Sequence, residues 1–176
     1  TKCSVPGKYQ STAGKGECAN CEENTFSNIT ASTSCYRCEV GKRAINTGMT
    51  MCQSCSAGKY GYENVQTGEI DCQECETGRY QPEKGMTSCL NCIPGKYQNL
   101  LGASACELCP SGFFRGAQDS PTHCTACRRG EFQAHRGRSQ CQVCSPGRFQ
   151  ARSGAQDCDD CSADTFSADS NRSWPC

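Results

Sequence analysis

Twenty of the 176 residues are cysteine, and eighteen of these form nine C-x-x-C pairs that begin at Cys18, Cys35, Cys52, Cys72, Cys89, Cys106, Cys124, Cys141 and Cys158. Cys3 stands alone before them and Cys176 after. Thiols at this spacing can do three kinds of chemistry. The first is zinc binding, since C-x2-C-x13-C-x2-C is a workable four-thiolate spacing. A zinc protein groups its pairs in twos, with different spacing within and between sites. Here the pairs number nine and the steps between them are 17, 17, 20, 17, 17, 18, 17 and 17 residues, so no metal or other cofactor is expected. The second is thioredoxin-type exchange, which needs a βαβ setting around the pair, and no such pattern surrounds any of these. The third is a disulfide scaffold. Cysteine at about 11% places the chain among scaffolds made in an oxidising compartment.

The other reactive residues are sparse. His123 and His135 are the only histidines, and neither sits in a Ser/His/Asp-like setting, so the chain is not expected to be an enzyme. A basic residue follows a recurring glycine at Lys8, Lys42, Lys59, Arg79, Lys96 and Arg148. In register, these would form a ladder of charge able to meet an acidic polysaccharide. The simpler reading, which we favour, lays their stems over neighbouring aromatic rings with the heads in water. Two sequons, Asn28-Ile29-Thr30 and Asn171-Arg172-Ser173, make Asn28 and Asn171 candidate N-glycosylation sites in a secreted chain. A glycopeptide mass shift at each is the direct check.

The elements that must carry these residues are repeats. Cutting at the second Cys of each pair gives ten units, starting at Cys3, Cys21, Cys38, Cys55, Cys75, Cys92, Cys109, Cys127, Cys144 and Cys161. The best formed read C-x-x-G-[KR]-[YF]-Q-x-x-x-G-x-x-x-C, as in the segment from Cys92 to Cys106. The first glycine slot holds Gly in eight repeats, Asn24 in the second and Asp164 in the tenth. Gly, Asn and Asp are the residues that tolerate positive φ, so a left-handed turn residue is expected there. A second glycine, four before the closing Cys, marks a return turn. An aromatic follows the first turn in every repeat but the third, which has Arg43. Gln10, Gln81, Gln98, Gln133 and Gln150 come next and should point away from the aromatic. They would form either inter-repeat amide ladders or a solvated strand face.

Hydrophobic residues make up 35% of the chain, but cysteine is counted among them; the rest supply only about 24%, roughly half the usual share. One large hydrophobic core is thereby excluded. The aromatics stacked on neighbouring disulfides would make a thin continuous one. The expected fold is small and disulfide-rich, mostly β hairpins and irregular loops, in one elongated array over residues 1–176. Each unit has room for two strands of about four to five residues. The fourth repeat carries three extra residues around Gly61–Gln66, where a longer loop should bulge. Net charge is zero, with 18 basic and 18 acidic residues, so no nucleic-acid partner is expected. No run of 18 apolar residues exists to span a membrane.

Two cysteine pairings are open. If each C-x-x-C closes on itself, Cys3 and Cys176 are left over. If each repeat closes on itself, all twenty are used: Cys3–Cys18, Cys21–Cys35, Cys38–Cys52, Cys55–Cys72, Cys75–Cys89, Cys92–Cys106, Cys109–Cys124, Cys127–Cys141, Cys144–Cys158 and Cys161–Cys176. The count favours the second, although truncation at module edges would give the same parity. Each such bridge contributes about 3 kcal/mol on the chain-entropy account, so reduction is expected to unfold the chain.

The motif C-x-x-G-[KR]-Y-x(8)-C followed by x-x-C resembles the first half-module of tumour-necrosis-factor-receptor cysteine-rich domains. From Cys3 to Cys176 the chain resembles still more closely the tandem ephrin-receptor-like cysteine-rich repeats of long extracellular proteins. In the receptor half-module the two cysteines flanking the turn and aromatic pair with each other, which supports closure within each repeat. Receptors alternate this half-module with another kind, whereas here one kind recurs ten times. The reading that follows is an extracellular structural rod or spacer, part of a filament, flagellar hair or stalk. It is read as a mature segment of a longer secreted chain. Its partners would be other copies of itself, other subunits of the assembly, and N-linked glycans. At about 10 Å per stacked sheet, ten repeats would span on the order of 100 Å. The alternative is the ligand-binding ectodomain of a cell-surface receptor or surface antigen, using the fourth-repeat insertion or the region of Arg43.

Overall fold

The computed structural model describes residues 3–12 and 17–162. Among them there is no helix, only nine two-stranded antiparallel hairpins, one per repeat. This is a set of small disulfide-rich β-hairpin repeats. Each hairpin pairs the two residues after the first turn with the two residues inside the following C-x-x-C. Lys96–Tyr97, for example, pairs with Glu107–Leu108. The strands are therefore shorter than the four to five residues expected. The reason lies in the C-x-x-C: its second Cys opens the next repeat, so only two residues remain to pair. Repeat 4 alone extends, with strands Lys59–Glu63 and Ile70–Glu74.

The first turn is closed by an i to i+3 hydrogen bond, such as Lys96 N–H to the Ile93 carbonyl at 3.0 Å. Its third residue has positive φ, 81° at Gly95 and 59° at Asn24, the conformation a type II turn demands. Asn24 shows why the slot accepts Asn.

Nine bridges join the cysteines within repeats, from Cys3–Cys18 to Cys144–Cys158. Cys161 is also disulfide-bonded, but Cys176 lies outside the described residues, as do Asn171, Asp164 and Phe166. The opening cysteine of each of these nine bridges is buried, with Cys21, Cys75, Cys109, Cys127 and Cys144 at 0% exposure, whereas Cys161 is half-buried. The buried apolar residues are ten half-cystines plus Ala44 and Ile70. The core is thus cystine. The aromatics, from Tyr9 to Phe149, are only half-buried and cover it from the side.

The chain divides into two compact units, one of residues Thr1–Cys75, Gln81–Cys89 and Gly102–Ser104, the other of Glu76–Tyr80, Leu90–Leu101 and Ala105–Cys176. Within each, most successive repeats are tied by the same three backbone hydrogen bonds; in repeat 4 the return-turn Gly68 N–H donates instead to the Asn64 carbonyl of its own loop, and in repeat 7 the Arg115 guanidinium takes the Cys92 carbonyl. In the second unit the first-turn Gly112 N–H donates to the Gln133 carbonyl of the next repeat at 2.7 Å, and Arg115 N–H to the Arg138 carbonyl at 3.3 Å. The return-turn Gly137 N–H donates back to the Cys109 carbonyl at 2.8 Å. In the first unit Gly58 to Gln81, Gln81 to Ala103 and Gly85 to Cys55 are the same bonds. These return-loop bonds explain why residues 81–89 and 102–104 belong with the first unit.

Candidate functional site

The recurring glutamines are the largest departure from expectation. Gln81, Gln98, Gln133 and Gln150 are buried, at 2–6% exposure, so neither a solvated face nor an inter-repeat amide ladder describes them. Each side chain stays inside its own repeat. The Gln98 Nε2 donates to the Ala105 carbonyl at 2.8 Å, and its Oε1 accepts from Leu100 N–H at 2.9 Å. Gln81, Gln133 and Gln150 repeat the pattern. One amide thus braces the whole return loop, using a donor and an acceptor that no apolar residue offers. Gln98→Leu should therefore leave two polar groups unpaired and cost about 2–4 kcal/mol. Gln142→Leu, on the exposed surface, should stay within about 0.5 kcal/mol. Denaturant melts of the two oxidised variants decide this, and equal losses would overturn the bracing role.

In repeat 7 the same slot holds Arg115, 3% exposed. Its Nε donates to the Lys96 carbonyl at 2.6 Å, its Nη2 to the Cys92 carbonyl at 2.7 Å and its Nη1 to the Asp119 carbonyl at 3.2 Å. The guanidinium reaches repeat 6 as well as its own loop, which is one residue longer.

The third and fourth repeats depart together. Repeat 3 lacks the aromatic and the glutamine, having Arg43 and Ala44 instead. Ile70, from the long hairpin of repeat 4, packs on Cys38 and Ala44 with Phe26 and Met49 beside them, which fills the gap. Around this cluster Arg37 pairs with Glu63 at 2.8 Å, and Arg43 pairs with Asp71. A groove of about 330 Å³ runs between Glu23, Asn24, Arg43, Ile45, Glu69 and Asp71.

The remaining sequence candidates are scattered. Three of the six basic-ladder residues meet carboxylates: Lys42 with Glu39 at 3.1 Å, Lys59 with Glu74 at 3.4 Å, and Arg148 with Asp160 at 2.7 Å and Asp157 at 3.2 Å. Asp157 has its carboxyl lowered by the Cys158 N–H and by Arg148. Whatever it contributes to stability is therefore present at neutral pH and lost as pH falls through that depressed value. His123 is exposed, with Nδ1 3.1 Å from the Thr122 hydroxyl, and His135 is exposed on a return loop. Asn28 is exposed, as a glycan acceptor must be. The eighteen described bridge cysteines hold S–S bonds and so cannot serve as thiolate ligands. No helix among the described residues is long and apolar enough to cross a membrane.

Residues 116–161 match the family described as tyrosine-protein kinase ephrin type A/B receptor-like. Over these residues the chain is similar to ephrin-receptor-like cysteine-rich repeats. The match covers repeats 8 and 9 with their edges, and the repeats before them carry the same bridge and first turn. No curated protein matches the chain.

Proposed function

We propose that this protein is an extracellular spacer: a tandem array of ephrin-receptor-like repeats that holds length and resists proteolysis as part of a filament, hair or stalk. The supporting observation is the three-bond backbone junction that recurs between repeats within each compact unit, over a core of cystine. A chain so built makes each repeat depend on its neighbours rather than on one central core. Its partners are further copies of itself or other subunits of an extracellular assembly, with N-linked glycans at Asn28, which is exposed, and at Asn171. No catalysis is assigned to it. Small-angle scattering of the oxidised chain tests this reading. A maximum dimension on the order of 100 Å supports it; a radius of gyration of about 16 Å, that of a compact globule of this length, overturns it.

A second reading has one observation in its favour. The break in uniformity at repeats 3 and 4, with its groove beside Arg43 and Asp71, gives a receptor ectodomain a local surface unlike the rest. Capture of a specific ligand that Arg43→Ala abolishes would decide for it.

A further inference from the structure

Net charge is zero over the chain, yet residues 128–152 hold six arginines, no lysine and a single carboxylate, Glu131. We propose that the return loops of repeats 8 and 9 form a binding surface for a sulfated polysaccharide.

Backbone bonds bring these arginines together. Gly130 N–H donates to the Gln150 carbonyl and Gly154 N–H to the Cys127 carbonyl, both at 2.8 Å. Arg128 lies between Cys127 and Gly130, and Arg152 between Gln150 and Gly154, so the two bonds bracket both. The equivalent bond one repeat earlier, Gly137 N–H to the Cys109 carbonyl, seats Arg136 and Arg138 on a loop presented the same way. The loops are pinned. Arg152 N–H donates to the buried Gln150 Oε1 at 2.9 Å, Arg128 N–H to the Glu131 carboxylate at 3.2 Å, and the Arg138 carbonyl accepts from Arg115 N–H.

Arg128, Arg136, Arg138 and Arg152 are exposed. The charges facing them are few. Glu131 meets the Arg128 backbone. The Glu107 carboxylate accepts a hydrogen bond from the Tyr97 hydroxyl at 3.1 Å. Asp157 and Asp160 are taken by Arg148.

The chemistry selects the ligand. Guanidinium forks match the paired oxygens of sulfate better than ammonium does. Arg138 borders a groove of about 340 Å³ with Gln133, His135, Gln140 and Gln142, where the exposed amides of Gln140 and Gln142 suit sugar hydroxyls. No Phe, Tyr or Trp lines it, so it lacks the large rings on which nucleic-acid bases stack best. This surface differs from the first-turn ladder, and it stands whether or not the array is a spacer, because scattering and glycan binding are read separately.

The test is heparin affinity of the full oxidised chain across a salt series. The wild type should be retained above about 0.15 M NaCl. Arg128→Ala/Arg138→Ala/Arg152→Ala should bind at least about 10-fold more weakly, and the slope of log affinity against log salt should fall by about 2–3. Lys8→Ala/Lys42→Ala/Lys59→Ala and the wild-type melting profile should be unchanged. Flow-through of the wild type, or equal loss in the two triple variants, overturns the proposal. Undiminished binding to desulfated heparin, or single-stranded DNA binding as tightly as heparin, overturns the assignment to sulfated sugar.

Discussion

Complete reduction and alkylation should abolish cooperative unfolding, leaving a signal that drifts gradually with denaturant. The argument rests on what is buried. Apart from Ala44 and Ile70, the buried apolar residues are half-cystines, so reduction removes the core and the chain constraint together. Each bridge spans 14 to 17 residues and contributes about 3 kcal/mol. Ordering each residue costs about 1–2 kcal/mol, which the sparse apolar content cannot offset alone. A single-bridge variant grades the effect: Cys92→Ala/Cys106→Ala should lose about 3 kcal/mol while the other bridges keep a folded array. Far-ultraviolet circular dichroism against urea is the measurement, and a sigmoidal transition after full alkylation would sink the account.

Gly112→Ala should be the most damaging single substitution of a non-cysteine residue among those considered, and Gly154→Ala is its control. Both glycines have positive φ, 82° and 74°, so both alanines bear the left-handed cost of about 1–2 kcal/mol. Their surroundings differ. A Cβ on Gly112 would lie 2.1 Å from the Gly154 carbonyl oxygen, two repeats on, whereas a Cβ on Gly154 meets nothing closer than 3.8 Å. The obstacle at Gly112 is backbone, which cannot swing aside, and forced overpacking adds about 1–3 kcal/mol more. The expected losses are about 3–5 kcal/mol for Gly112→Ala and about 1–2 kcal/mol for Gly154→Ala. Gly95 faces the Gly137 oxygen at 2.2 Å and should behave like Gly112. Equal losses at Gly112 and Gly154 would show that turn strain alone explains the glycine.

The glycine slot marks the border between what was legible in the sequence and what was not. Gly, Asn24 and Asp164 in one slot announce a left-handed turn, because positive φ is a local property that residue type reports. The second reason for glycine at Gly112, the carbonyl of a residue 42 positions later, leaves no mark on the local pattern. The glutamines teach the same lesson. Alternation sets Gln98 and Tyr97 on opposite faces, but it does not say which face is interior, and hydrophobicity alone points to the tyrosine. In the fold the loop carbonyl of Ala105 and the N–H of Leu100 need partners away from water, and a side chain carrying both a donor and an acceptor takes the buried side.

The sequence by itself determined the ten-unit period, the turn residues, the cystine-based class of fold and the hairpin per repeat, because cysteine spacing and φ preference act over a few residues. Tertiary structure alone decided that all but the fourth hairpin shrink to two-residue strands, that glutamine rather than an aromatic braces the return loops of repeats 5, 6, 8 and 9, and that Ile70 fills the place of repeat 3's missing ring. Each of these depends on hydrogen bonds or contacts between repeats, and those are set by how one hairpin seats on the next rather than by the order of residues within it.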